Sequence, residues 1–176
     1  MLWLARHGET AYNAVRRFQG QSAVPLNDRG REQAHALAEQ AATHDFAALW
    51  CSPLARARET ADIVAARIGL VPVEDPRLME TDAGDWTDRM FDEVAAEDPA
   101  RFAGFQEGAD DFAFPGGESF AQQQDRVCAA LDEIRAAGPL PVLVVCHRNS
   151  MRLALERFTG ARVALDDVPN GSMVAL

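Results

Sequence analysis

The chain has 176 residues, 48% hydrophobic and 25% charged, with a formal net charge of −10 at pH 7, which fits one globular domain with a sizeable core. The negative balance argues against a nucleic-acid surface or an anionic membrane as partner, and no apolar run approaches the length of a membrane span. All 17 basic residues are arginine, so Schiff-base and P-loop lysines are excluded, and PLP enzymes and Walker-type NTPases with them.

From the N-terminus, Met1-Leu2-Trp3-Leu4-Ala5 is a short apolar run that stops at Arg6-His7-Gly8. It predicts a buried strand delivering an arginine and a histidine at its C-terminal end. In open α/β sheets that end is where ligands bind. A guanidinium neutralises anionic oxygens and a neutral imidazole serves as nucleophile or base, a pair suited to phosphoryl chemistry. Taken alone, a strand-end histidine satisfied by its neighbours explains the tripeptide equally well. Gly8 is expected to permit a sharp exit and close approach of a ligand to the backbone. Thr10 to Val24 reads as loop, with Asn13, Arg16, Arg17, Gln19 and Gly20 following the histidine. Asn27 or Asp28 caps a helix to about Thr43, with Ala34, Leu37, Ala38 and Ala41 on one face. His35 and His44 read as surface or helix-end residues.

Phe46 to Cys51 is a second apolar strand. Ser52 as cap and Pro53 at the first helical position predict a helix to about Arg67, striped by Leu54, Ala57, Ala61, Val64 and Ile68. Arg56 falls in its first turn. A cation is unfavourable at a helix N-terminus unless an anion binds there; from this stretch alone a solvated side chain is the simpler expectation. Gly69 ends the helix, and Leu70 to Val73 is a third strand. From Asp92 to Asp111 there are seven acids and one arginine, broken by Pro99, Gly104 and Gly108. Short helices over one end of the sheet are expected, with about 86–114 as a candidate lid on a single domain spanning 1–176. Ser119 and Gln122 form a capping box for a helix to about Ala137, and Gly138-Pro139 stops it. Leu140 to Cys146 is the strongest strand in the chain and delivers His147. A helix with Met151, Ala154, Leu155 and Phe158 on one face follows, and Ser172 to Leu176 is a last strand. Cys51, Cys128 and Cys146 lie in apolar contexts and read as buried free thiols of a cytoplasmic protein. No Cys/His cluster has zinc spacing.

Strands alternating with helices predict an α/β fold with a mostly parallel central sheet covered on both faces. The C-terminal ends of parallel strands share one edge. Arg6-His7, Ser52 before Arg56, and His147 would meet there from opposite ends of the chain. Cations buried beside one another repel, so the cluster implies an anion.

Leu4-Ala5-Arg6-His7-Gly8-Glu9-Thr10 with Asn13, Pro25-Leu26-Asn27-Asp28-Arg29-Gly30, Ser52 to Ala61, Leu78-Met79-Glu80, Gly84-Asp85-Trp86, Pro115 to Ser119 and Val144-Val145-Cys146-His147 occur in that order. With these motifs the sequence resembles the histidine phosphatase superfamily, which includes the cofactor-dependent phosphoglycerate mutases. The resemblance implies a three-layer α/β/α, phosphoglycerate mutase-like fold. It implies that His7 is the nucleophile of a phosphohistidine intermediate and that Arg6, Arg56 and His147 hold the phosphoryl oxygens. Glu80 would be the general acid. Asn13, Gln19, Gly20 and Arg148 join Arg6, Arg56 and His147 as substrate- and phosphate-binding candidates. No metal and no cofactor are implied, because arginines supply the positive charge. The chain departs from the family at Trp86-Thr87-Asp88, often Trp-Glu-Gly, and at Arg148, usually glycine. Arg148 would either turn outward to acids of the 92–111 stretch, the simpler expectation, or inward to a second anionic group of the substrate.

The leading expectation is a phosphatase acting on a small phosphorylated metabolite: a sugar phosphate, a nucleotide, α-ribazole phosphate or a phosphoglycerate. The mutases are longer between the acid and the second histidine and at the C-terminus, which places a mutase second. A non-catalytic phosphate-binding regulatory protein comes third, because the catalytic set is intact. A homodimer is left open.

Overall fold

Side chains alternate across the central strands, and that alternation makes two sides of a core. The computed structural model describes residues 1–109 and 111–176; Asp110, one acid of the 92–111 stretch, lies outside the described residues. Five strands, β1 (Leu2–Arg6), β2 (Ala48–Cys51), β3 (Pro72–Glu74), β4 (Val142–Cys146) and β5 (Met173–Ala175), form one sheet in the order β3-β2-β4-β1-β5. The first four are parallel, and β5 runs antiparallel to β1. Leu2 and Leu4 of β1 face one side with Val142, Val144 and Cys146 of β4. Ala5 faces the other with Leu143 and Val145.

Among the described residues the chain has seven α-helices: α1 (Ala11–Ala14), α2 (Asp28–Ala41), α3 (Ala55–Ile68), α4 (Phe91–Glu97), α5 (Pro99–Glu107), α6 (Phe120–Ala137) and α7 (Arg148–Thr159). α2 and α3 pack on one face through Leu37, Ala38, Ala57, Ala61 and Val64. α6 and α7 pack on the other through Val127, Leu131, Met151 and Ala154. This is the expected three-layer arrangement. Among the described residues no helix is long and apolar enough to cross a membrane.

Two local expectations are corrected. The helix after β2 starts at Ala55 with Leu54 as its extended N-cap residue, not at Ser52-Pro53. Ser52 Oγ does accept the Leu54 N–H at 3.3 Å, but its hydroxyl is committed elsewhere, as described below. The acidic stretch, expected from its composition only as short helices over one end of the sheet, also has an apolar inner face. α4 and α5 carry Val94, Phe102 and Phe105 into a cluster with Phe18, Trp86, Phe112, Phe114 and Phe120. The acids occupy the outside of these short helices, and the rings their inside. The three cysteines are free and buried. Burial pushes the Cys51 and Cys146 thiols up to about 12 and Cys128 to about 11, so they stay protonated and unreactive near neutral pH.

Candidate active site

The β1–β4 register pairs Arg6 with Cys146, so the next residues, His7 and His147, emerge side by side. The His7 backbone N–H donates to the Cys146 carbonyl at 3.1 Å, and the two rings lie 5.1 Å apart. Both imidazoles are buried, His7 at 2% exposure and His147 at 0%. Gly8 is required by packing rather than by a ligand: a Cβ there would collide with the Gly30 backbone at the start of α2. Thr60 of α3 completes the turn, its hydroxyl oxygen accepting the Gly8 N–H at 3.2 Å.

Hydrogen bonds set the tautomer of each imidazole. His7 Nδ1 lies 2.6 Å from the Gly8 carbonyl oxygen, which only accepts, so the proton is on Nδ1 and Nε2 carries the lone pair. Arg56 Nε–H donates to that nitrogen at 3.3 Å. The hydroxyl proton of Ser52 has no acceptor among the described residues other than His147 Nε2, 2.8 Å away, and is donated there. His147 therefore carries its proton on Nδ1. Burial, then Arg56 and Arg6, holds the pKa of His7 well below the ordinary 6.5; burial, then Arg56 and His7, does the same for His147. Both are neutral at pH 7, as a nitrogen nucleophile must be.

These shifts carry a stability consequence. The folded state keeps both rings neutral while the unfolded chain protonates them, so the unfolded state binds more protons as pH falls below 6.5. The histidine contribution to stability is complete above that value and declines on acidification. Thermal melting followed from about pH 7.5 to about pH 5.5 should show a falling Tm whose slope is reduced in His147→Asn. An unchanged slope in the variant would contradict the neutral assignment.

Arg56, expected to be solvated, is 1% exposed. Its Nη2 donates to the Gly20 carbonyl at 2.8 Å and its Nη1 to that of Ser22 at 3.0 Å. The guanidinium ties the 20–22 loop to His7, which the first turn of α3 makes possible by aiming this side chain at the sheet edge. Gly20 has φ +49° and a Cβ there would press on Ala83, so the loop can lie this close only with glycine. Arg6 Nη1 donates to the Val168 carbonyl at 2.6 Å. Burial lowers the Arg6 pKa to about 9, with Arg148 adding to the effect, and that of Arg56 to about 10. Both remain cationic at pH 7. Buried Arg6 Nε and His147 Nδ1 have no hydrogen-bond partner among the described residues.

A cavity of about 550 Å³ opens in front of His7, lined by Arg6, His7, Asn13, Gln19, Gly20, Arg56, Glu80 and Arg148 together with Tyr12, Arg16, Arg17, Phe91, Phe105, Phe114, Asp166 and Asn170. Every residue expected at the site from sequence lines the cavity except His147, which is fully buried beside His7 with its ring 5.1 Å away. Asn13 Oδ1 accepts the Thr10 N–H at 3.1 Å, so Asn13 shapes the turn as well as lining the wall. Arg148 points inward, which corrects the outward expectation. It is the first residue of α7, whose side chains lean back toward the helix N-terminus, and that terminus sits on the site. It is half-buried, and burial lowers its pKa, with Glu80 and Asp166 opposing. Thr60, Asn170 and Asp166 were not singled out from sequence, and Ser52 was read as a helix cap at a strand end without a partner at the site. Asn170 Nδ2 donates to the His7 carbonyl at 3.0 Å. Nothing local marks a polar residue whose partner is more than a hundred residues away.

The charge layout is selective. Ten arginines lie within 4.0 Å of a carboxylate. None of those ten lines the cavity, whereas Arg6, Arg16, Arg17, Arg56 and Arg148, which do, have no such partner among the described residues. In a chain of net charge −10 five cations without a carboxylate partner among the described residues are gathered around one cavity.

The model of the histidine phosphatase superfamily (branch 1) matches residues 2–175. The chain belongs to the histidine phosphatase superfamily. A relative named probable phosphoglycerate mutase GpmB, from Yersinia pestis, is 38% identical over 145 residues, covering 81% of this chain and 67% of that protein. The fold of this superfamily member is similar to that of a mycobacterial glucosyl-3-phosphoglycerate phosphatase in complex with VO3, with a TM-score of 0.88 and 32% identity over 98% of this chain and 90% of the other. It is similar also to a putative alpha-ribazole-5'-P phosphatase from Escherichia coli K-12, with a TM-score of 0.82 and 28% identity over 98% and 87%. The sheet and helices are those of the phosphoglycerate mutase-like α/β fold that these histidine phosphatases share.

Proposed function

We propose that this protein hydrolyses a small phosphomonoester through a phosphohistidine on His7. The observation that carries the reading is the set of five arginines without carboxylate partners among the described residues, placed around a neutral imidazole: an excess of fixed positive charge on a neutral nucleophile fits a phosphoryl dianion. His7 Nε2 attacks phosphorus in line while the leaving oxygen departs on the opposite side. Arg6, Arg56 and the unpartnered His147 Nδ1–H take the equatorial oxygens, which concentrate charge in the transition state. Glu80 gives its proton to the leaving oxygen. In the second half it takes a proton from the water that attacks the phosphohistidine. Arginines fill the role a metal has in other phosphatases, and among the described residues no three His, Cys, Asp or Glu side chains are grouped to hold one. The 86–114 segment, which walls the cavity with Phe91, Phe105 and Phe114, is the lid of a single catalytic domain spanning 1–176.

The name of the Yersinia relative favours a mutase as the second reading, and the names of the structural neighbours favour the phosphatase. A phosphomonoester panel with and without 2,3-bisphosphoglycerate separates the two. Phosphate release without the bisphosphate, undiminished in EDTA, is the expected result. Turnover that needs the bisphosphate, or magnesium after EDTA, overturns it.

The inward Arg148 extends the reading to specificity. If its fork engages a second anionic group, Arg148→Gly should raise KM for phosphoglycerate-like or bisphosphorylated substrates by on the order of tenfold, the worth of one charge-assisted contact. Aryl phosphates should barely respond. Unchanged substrate ranking in the variant would remove Arg148 from recognition.

A further inference from the structure

Gln123 of α6 is 0% exposed and lies behind Glu80, outside the cavity lining. Its amide is gripped at both ends. Nε2 donates to Glu80 Oε1 at 3.1 Å and to Ser150 Oγ at 3.1 Å. Oε1 accepts the hydroxyl proton of Thr81. The neighbours fix this orientation. Ser150 spends its own proton on the Met79 carbonyl at 3.2 Å and has a lone pair to offer Gln123. Thr81 Oγ1 accepts Asn149 Nδ2–H at 3.2 Å and has a proton to give. A flipped amide would set oxygen against the carboxylate and N–H against a hydroxyl donor.

The two oxygens of Glu80 therefore differ. Oε1 accepts the Thr81 N–H at 2.9 Å and the Gln123 N–H, so a proton placed there would face donors. Among the described residues Oε2 accepts only the long Asn149 N–H at 3.4 Å. We infer that Gln123 is a positioning residue that keeps the acidic proton of Glu80 on Oε2, the oxygen that hands it to the leaving group. The inference rests on Glu80 being the general acid. As the P–O bond breaks, its electron pair goes to the leaving oxygen, which takes the proton from Oε2. The charge left on the carboxylate is shared with Oε1, where the Thr81 and Gln123 N–H groups already stand to stabilise it.

Wild type, Glu80→Gln, Gln123→Met and the double variant are compared by kcat/KM for glycerol phosphate and p-nitrophenyl phosphate, and by inhibition with inorganic phosphate. Gln123→Met is expected to lower kcat/KM on the alkyl ester by on the order of tenfold or more, a part of the full worth of an acid catalyst. The aryl ester, whose leaving group hardly needs a proton, should lose far less. Phosphate inhibition should be unchanged. In the Glu80→Gln background the methionine should cost the alkyl ester nothing further, which a packing role for Gln123 would not produce. A Gln123→Met enzyme with the wild-type alkyl-to-aryl ratio, while Glu80→Gln shifts that ratio, overturns the inference and leaves the acid assignment standing. An unshifted ratio in Glu80→Gln overturns both. Thr81→Val, which removes the hydroxyl holding Gln123 but keeps the N–H on Oε1, should show the same selectivity to a smaller degree. If Gln123→Met does not fold, an unchanged ratio in Thr81→Val overturns the inference.

Discussion

His7→Ala is expected to lose turnover of every phosphomonoester by roughly 10⁴-fold or more, the scale on which deleting a covalent nucleophile acts. The geometry that sets this expectation is specific to one atom. Nδ1 carries the proton given to the Gly8 carbonyl, so the ring's lone pair is on Nε2, where it meets only the long Arg56 Nε–H at 3.3 Å among the described residues, and burial among arginines keeps it unprotonated. Wild-type enzyme quenched during turnover of labelled substrate should retain label that survives alkali and leaves in acid, as a phosphorus–nitrogen bond does. His7→Ala should retain none. Label on serine or aspartate, or no label in either protein, would defeat the proposed intermediate.

Glu80→Gln should slow alkyl phosphates by about 10²- to 10⁴-fold, the usual range for a general acid, and p-nitrophenyl phosphate much less. Glutamine preserves size and can still accept the Thr81 N–H that fixes Glu80, so the change is confined to the proton. The other carboxylates near it in sequence are poorly placed. Asp82 is exposed, and its Oδ1 accepts the Gly84 N–H at 3.0 Å. Equal losses on alkyl and aryl esters would refute the acid role.

Much of this was legible before the fold. The strands could be read from apolar runs because backbone pleating imposes a period of two wherever sheet faces are buried. The residues at their ends followed from chain order. In a parallel sheet every strand presents its C-terminal end to the same edge, so His7 and His147 shared that edge whatever lay between; the β1–β4 pairing that sets them side by side came from the fold. The helix starts at Asn27 and Ser119 were legible too, since a cap acts on the N–H three residues away.

What sequence alone left undecided depended on partners distant along the chain. Ser52-Pro53 carries the local chemistry of a helix start, yet in the folded chain the helix begins at Ala55 and the Ser52 hydroxyl is turned to His147. Arg56 looks like a solvent-facing residue until the 20–22 carbonyls arrive to receive it. The direction of Arg148 was set by where the α7 terminus lands, not by its neighbours in sequence. The acids of residues 92–111 concealed an aromatic interior because the rings that complete it come from Phe18, Phe112, Phe114 and Phe120 as well. Sequence by itself determined the chemistry available and the edge at which it gathers, because covalent order and backbone geometry are local. Only the tertiary structure decided which proton sits on which atom, because a hydrogen bond joins groups by position in space and not by position in the chain.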